Sequence, residues 1–282
     1  LNDEPLQGLY FSVSINPSIK TLTSPQSYSP FIQASVFKIS SLPESAMAFP
    51  PYTKAFHTTA YPAISPTRPE LSTAGKVVLI TGGGSGIGPR LTHAFATSGS
   101  TKIAILGRTS SSLLTTKSGV EAQHPGVKVL TFVADIVDQA AVNTAFEATK
   151  KAFGPIDIFI SNAAYLPDVE PVATASPEEF MRGLDVNVKG NLILSQAFLA
   201  NSSEKPTYIH VSTAGCHVPP IMAGMAGYAV SKLAGVKLMD YFGFENPHVK
   251  LIHVHPGVLK SAMNNKSMDA GLILPFDNGK FE

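Results

Sequence analysis

The chain has 282 residues, room for one or two domains at roughly 100–200 residues each. Its 44% hydrophobic and 15% charged residues are those of a globular protein, and a formal charge of +1 gives no reason to invoke nucleic acid or an anionic membrane as a partner. A single cysteine, Cys216, excludes an intramolecular disulfide and a cysteine-based zinc site, which makes a reducing, cytoplasmic compartment the default. No uninterrupted apolar run approaches the roughly 20 residues that a membrane-spanning helix needs.

The first seventy residues hold ten of the 22 prolines, interspersed with Ser and Thr, and keep neither a helical nor a strand period. Residues 1–70 are therefore expected to be an extension outside the folded domain, which spans 71–282. Within it, 1–46 is read as disordered or adventitious, with Met47 as the native start. Residues 47–70, with Pro50, Pro51, Pro62, Pro66 and Pro69, are read as an arm over the domain surface.

From Lys76 onward, short apolar runs alternate with helical patterns. The strands are read at Lys76–Ile80, Ile103–Leu106, Val127–Val133, Ile156–Ile160, Thr207–Val211 and Val249–Val254. A helix over Asp138–Phe153 is apolar at Ala141, Val142, Ala145, Phe146, Ala148 and Phe153. Hydrophobic strands alternating with helices predict an α/β fold, a doubly wound parallel sheet of the Rossmann type covered on both faces. Ligands in such sheets bind beyond the carboxyl ends of the strands, where every polar cluster of this chain falls.

The first of these clusters is Thr81-Gly82-Gly83-Gly84-Ser85-Gly86-Ile87-Gly88, between a strand and a helix that opens on Pro89. Bare backbone N–H groups at a helix N-terminus form a seat for phosphate, and glycines let the backbone approach it closely. Pro89 suits the first helical turn, where its missing N–H costs nothing. The second strand ends Gly107-Arg108 with no carboxylate to repel a ribose 2′-phosphate, so NADP(H) is favoured over NAD(H). Further on, Tyr228 and Lys232 stand one helical turn apart and project from one face. A phenol titrates near 10, and an ammonium beside it is expected to lower that value toward the working range.

Together these motifs resemble the short-chain dehydrogenase/reductase family, in a branch similar to fungal members with the Glu245-Asn246-Pro247 turn after the catalytic helix. The resemblance runs from about Lys76 to Ser261. It implies a hydride transfer between a nicotinamide and a small-molecule carbonyl or alcohol, with Tyr228 exchanging the proton and Lys232 holding the nicotinamide ribose. It also implies that Asn187 supports a proton-relay water and that Asn162 and Ala163 border the cofactor. Asp135, followed by Ile136, would contact adenine, and Pro256, Gly257, Val258 and Ser261 would hold the carboxamide. The diphosphate would lie on Thr81, Gly82, Ser85, Gly86, Ile87 and Gly88. For the hydroxyl that polarises the substrate, Ser212 matches by type and Thr213 by position.

His253 and His255 alternate on the last strand, a spacing with no third ligand nearby, so no metal is expected. The family implies a homodimer or homotetramer through its fourth and fifth helices, and Leu184, Val188, Leu192 and Phe198 are apolar there, as core residues would be too. Met263–Gly271 is read as a lid helix. The chain ends 21 residues after Ser261, so the helix that usually follows is read as missing and the seventh strand as incomplete. A catalytically silent cofactor-binding or scaffold protein is the alternative function.

Overall fold

The computed structural model describes residues 61–217, 220, 222–257, 259 and 261–271. The expectations for residues 1–60, for Val258 and for a seventh strand within 272–282 lie outside these residues. Of the expected arm, residues 61–70 are described, and with Leu71 they hold two single 3-10 turns, Pro62–Ile64 and Pro69–Leu71, neither of which buries a residue. Thr73 is anchored to Ser98: its N–H and hydroxyl bind the carbonyl and hydroxyl of that residue at 2.8 and 2.6 Å.

Six strands make one parallel sheet. They are β1 (Val77–Thr81), β2 (Lys102–Gly107), β3 (Lys128–Val133), β4 (Ile156–Ser161), β5 (Ser202–Val211) and β6 (Lys250–Val254), in the order β3-β2-β1-β4-β5-β6. The chain winds outward from β1 to β3 and then returns to place β4 on the other side of β1. The crevice at that reversal, above the ends of β1 and β4, is where such sheets take ligands. β5 starts five residues earlier than the apolar run alone suggests, with its register to β4 shifted between Ser202 and Thr207. Pro206, which has no N–H to give a ladder, falls inside that irregular stretch.

The helices between them are α1 (Gly88–Thr97), α2 (Ser110–Gln123), α3 (Gln139–Phe153), α4 (Pro177–Leu184), α5 (Gly190–Asn201) and α6 (Ala226–Glu245), with α7 (Ala262–Asp269) after β6. Local chemistry fixes their starts. The Asp138 carboxylate accepts from Ala141 N–H to begin α3, and the Ser176 hydroxyl accepts from Glu179 N–H to begin α4, followed by Pro177. A π-helical turn, Asp185–Lys189, joins α4 to α5.

Strand side chains divide between two cores by their alternation. Val78, Ile80, Ile103 and Ile105 pack with Ala96 of α1 and Leu113 and Val120 of α2. Val77, Leu79, Ala104 and Leu106 face the larger core of α3, α5 and α6. At the centre of the latter, Phe159 meets Phe146, Phe198 and Tyr208 with ring centroids 5.2, 5.5 and 4.8 Å apart. Phe198 is therefore a core residue, whereas Leu184, Val188 and Leu192 line a shallow surface groove with Met181 and Leu238. Replacing Phe159 by Ala removes the hub of this cluster and is expected to cost about 3–5 kcal/mol of unfolding free energy in denaturant titration. A loss under about 1 kcal/mol would contradict the packing described.

Candidate active site

The glycine loop turns tightly at the end of β1. Gly82 adopts φ +68°, and a Cβ on Gly88 would fall on the Gly82 carbonyl oxygen. These two positions are closed to other residues, one by conformation and one by contact. α1 begins at Gly88 with no side-chain cap on its N-terminus and Pro89 in its first turn, and Gly82, Gly84 and Gly86 of the preceding loop line the crevice in front of it. An N-terminus without an acidic residue in that turn, fronted by bare glycine backbone, fits a diphosphate.

Thr81 ties this loop to the end of β4. Its hydroxyl accepts from the N–H groups of Asn162 and Ala163, both at 3.0 Å, and the Asn162 side-chain amide donates to Thr81 O at 2.9 Å. A second tie is Asn187 in the π-helical turn, 1% exposed. Its amide accepts from Tyr165 N–H and donates to Tyr165 O, both at 2.8 Å, and donates to Ser231 Oγ at 2.9 Å. Ser231 in turn donates to the carbonyl of Tyr228. The Asn187 carbonyl accepts from the Asn191 side chain at 2.6 Å.

Tyr228 and Lys232 lie in the first turns of α6. Lys232, 3% exposed, donates to the Val211 carbonyl at the end of β5 at 2.6 Å. Burial pulls its ammonium down to about 8. Burial also pushes the Tyr228 phenol up to about 12, with the Cys216 thiol a smaller contribution in the same direction. Loss of water sets this direction, against the lowering expected from the spacing to Lys232. Ser212 is buried, with Oγ 3.7 Å from Cys216 Sγ, while Thr213 Oγ1 accepts from Gly215 N–H at 3.3 Å. Both hydroxyls keep a proton to donate.

One cleft of about 410 Å³ gathers these groups: Gly82, Ser85, Gly86 and Ile87 of the loop, then Arg108, Asp135, Ile136, Asn162 and Ala163. Ser212, Thr213, Tyr228, Lys232, Pro256, Gly257 and Ser261 line its other end. Thr81, Gly88 and Asn187 stand behind the wall, holding it in shape, and do not line it. The Arg108 guanidinium lies 3.9 Å from the Asp135 carboxylate, with side chains 66% and 40% exposed.

Residues 76–271 match the family described as short chain dehydrogenase. The chain belongs to this family. It is 33% identical over 208 residues to the short chain dehydrogenase/reductase AacuD of Aspergillus aculeatus, covering 73% of this chain and 71% of that protein. Among solved structures, the short-chain dehydrogenase/reductase of Serratia marcescens superposes with a TM-score of 0.62 at 28% identity, over 68% of this chain and 77% of that one. A short chain dehydrogenase of Burkholderia cenocepacia in complex with NADP gives the same TM-score, identity and coverage.

In this short-chain dehydrogenase the cleft also takes Thr109 and Ser112 beside Arg108, and Tyr165, Leu166, Met225 and Met263 at the far end. Tyr165 could have been found from sequence, since it follows Asn162-Ala163-Ala164 at a strand's carboxyl end. Met225 and Met263 carry no such signal. The Ser261 hydroxyl accepts from Asn264 N–H as the cap of α7, a structural task in addition to lining the cleft. His255 lines the cleft, whereas His253 turns to His210, with their Nδ1 atoms 3.0 Å apart and the His253 Nε2 3.4 Å from Asp240. The alternation of His253 and His255 thus serves two different surroundings.

Two outcomes follow from this geometry. Gly88→Ala forces the loop off Gly82, and overpacking of roughly 1–3 kcal/mol should weaken nicotinamide dinucleotide binding about tenfold or more in a fluorescence titration. Unchanged affinity would refute the seat described. Burial, then the Lys232 and His253 charges, hold His210 down to about 2, against an ordinary value of 6.5. The unfolded chain then binds a proton that the fold does not, so this contribution is whole above pH 6.5 and lost as pH falls below it. Its slope approaches about 1.4 kcal/mol per pH unit. His210→Gln should flatten the acid limb of stability by about that slope, and an unaltered limb in urea titrations between pH 4 and 7 would exclude it.

Proposed function

We propose that this short-chain dehydrogenase interconverts a carbonyl and an alcohol with NADP(H), and that Tyr228 exchanges the proton. The observation that carries this is the meeting of Tyr228, Lys232 and the Ser212/Thr213 hydroxyls at the far end of the cleft that begins at the glycine loop. In the reducing direction NADPH held along the cleft would supply the hydride that the carbonyl carbon takes up. The Tyr228 O–H bond breaks, its proton goes to the substrate oxygen, and one of the two hydroxyls donates to that oxygen as charge develops. A phenol held near 12 is in its acid form at neutral pH, the form reduction needs. Lys232 stays charged below about 8 and offers the cation that steadies the phenolate left behind.

The NADP(H) preference rests on Arg108. Its pairing with Asp135 at 3.9 Å is exposed and worth at most ~1 kcal/mol, so the guanidinium is available to a 2′-phosphate. Thr109 and Ser112 add hydroxyls at the α2 N-terminus, where Thr109 gives no side-chain cap. The protein is further read as cytoplasmic, acting on a small molecule, and as a homodimer or homotetramer through the α4–α5 groove of Met181, Leu184, Val188 and Leu192.

A panel of ketones and aldehydes with NADPH tests the reaction. Turnover that Tyr228→Phe abolishes supports it, whereas tight NADPH binding without turnover would mark a catalytically silent binder. Of Ser212→Ala and Thr213→Ala, the true donor should lower kcat by about 10²–10³, while the other changes it less than threefold. Arg108→Ala should raise KM for NADPH about tenfold, the worth of one lost charge-assisted contact, and leave NADH kinetics unchanged. Equal effects on both cofactors would remove the 2′-phosphate assignment. For reduction, kcat/KM should decline above pH 8 as Lys232 loses its proton, and Lys232→Arg should remove that decline.

A further inference from the structure

α7 stands over the substrate end of the cleft, contributing Met263, Asn264 and Ser267 to its lining. It is only eight residues long, and a two-turn helix is not stable by itself in water. Its own devices are the Ser261 cap and the buried Ser267, whose hydroxyl bonds back to Met263 O. Lys266 gives it polar contacts with a distant segment of the domain. Its ammonium reaches back 100 positions to donate to Leu166 O at 2.9 Å, and it lies 2.7 Å from an Asp168 carboxylate oxygen. It also sits 5.4 Å from the centroid of the Tyr165 ring.

Tyr165 is held through its ring, its hydroxyl and its backbone. Arg182 stacks on its ring at 4.6 Å, Glu179 accepts from its hydroxyl, and Arg182 pairs with Glu179 at 3.8 Å. Its backbone N–H and carbonyl are both taken by Asn187. Tyr165 and Leu166 are also the cleft wall facing Tyr228. One cation therefore connects the lid helix to the wall, and through Asn187 and Ser231 to the turn of α6 that carries Tyr228.

We propose that Lys266 is a positioning residue that latches α7 onto the Tyr165–Asp168 segment and so sets the width of the substrate end of the cleft. The latch is an ion pair within reach of solvent, with side chains 38% and 58% exposed, so salt screens it and a substrate can displace it. Arg182 and Glu179 remain on Tyr165 when it opens, which makes α7 the moving part and the wall the fixed one. The kinetic consequence rests on the carbonyl-reductase reading; the structural one does not.

Lys266→Met should raise KM for a carbonyl substrate about tenfold, with kcat changed less than twofold and KM for NADPH unchanged. Lys266→Arg should stay close to the parent, and the exchanged pair Lys266→Asp with Asp168→Lys should recover at least half of the loss. Hydrogen exchange on the same proteins, with no ligand present, reads the latch directly. Amides of residues 262–269 should exchange at least tenfold faster in Lys266→Met, while β1 amides keep their parent rates. Unchanged exchange would overturn the latch, and faster exchange with an unchanged substrate KM would overturn the positioning role. If the parent turns over no carbonyl, the exchange result still decides the latch, and the failure belongs to the reaction assignment alone.

Discussion

The site depends on one buried amide. Asn187 satisfies both backbone groups of Tyr165 and the hydroxyl of Ser231, so three segments distant in sequence meet at one side chain. A buried amide left without these partners would cost more than each bond contributes net, and this asymmetry makes the arrangement specific. The π-helical turn at Asp185–Lys189 makes room for it by widening the helix where Asn187 sits. Gly235 of α6 lies against the same turn, where an added Cβ would come 2.9 Å from the Asn187 carbonyl. Close approach of α6 is thus a condition of the bond to Ser231, and the bond to Ser231 fixes the turn that presents Tyr228.

Electrostatics at the centre follows burial before it follows charge pairing. Tyr228 moves up and Lys232 moves down, each toward its neutral form, because both have lost water. Tyr228 near 12 is thereby held neutral at pH 7, while Lys232 near 8 stays charged there but close to its titration point. The Val211 carbonyl keeps the Lys232 ammonium at the end of β5, so its position comes from the sheet, whatever its charge.

Much of this was legible in the sequence, for stated reasons. The strands were found almost in register because buried parallel strands are continuous apolar runs, and the glycine loop, Arg108, Asn162, Tyr228 and Lys232 carry recognisable spacings. Ser212 and Thr213 fall into the same cleft, as their place after β5 implies. Direction of titration was not legible, since a spacing of four residues gives proximity without giving burial. The Lys266 contact was hidden because it joins residues 100 positions apart, and no local pattern of Leu166, Asp168 and Lys266 announces it. The His210–His253 pair was equally hidden: from sequence His253 pairs by spacing with His255, and only the parallel register brings it opposite His210.

The two faces of the sheet carry unequal duties. α3, α5 and α6 cover one face from β2 to β6, and the elements that bear Asn187, Tyr228 and Lys232 all belong to that layer. On the other face α1 and α2 cover the β1–β3 side. Over β5 and β6, Ile209 with Ile252 and Val211 with Val254 form lateral pairs that stay partly open to solvent among the described residues. A parallel sheet gains most of its stability from burial on both faces, so the β5–β6 side contributes less there than the β1–β3 side. The Ser212 and Thr213 hydroxyls and the Lys232 ammonium nevertheless sit at the carboxyl end of β5. Their geometry therefore rests on the aromatic cluster around Phe159 and Tyr208, which packs β4 and β5 against α5 and α6, and on the Asn187 amide above it. Core packing and the polar tie act in series: the first holds α6 against the sheet, and the second sets the height at which its first turn meets the cleft.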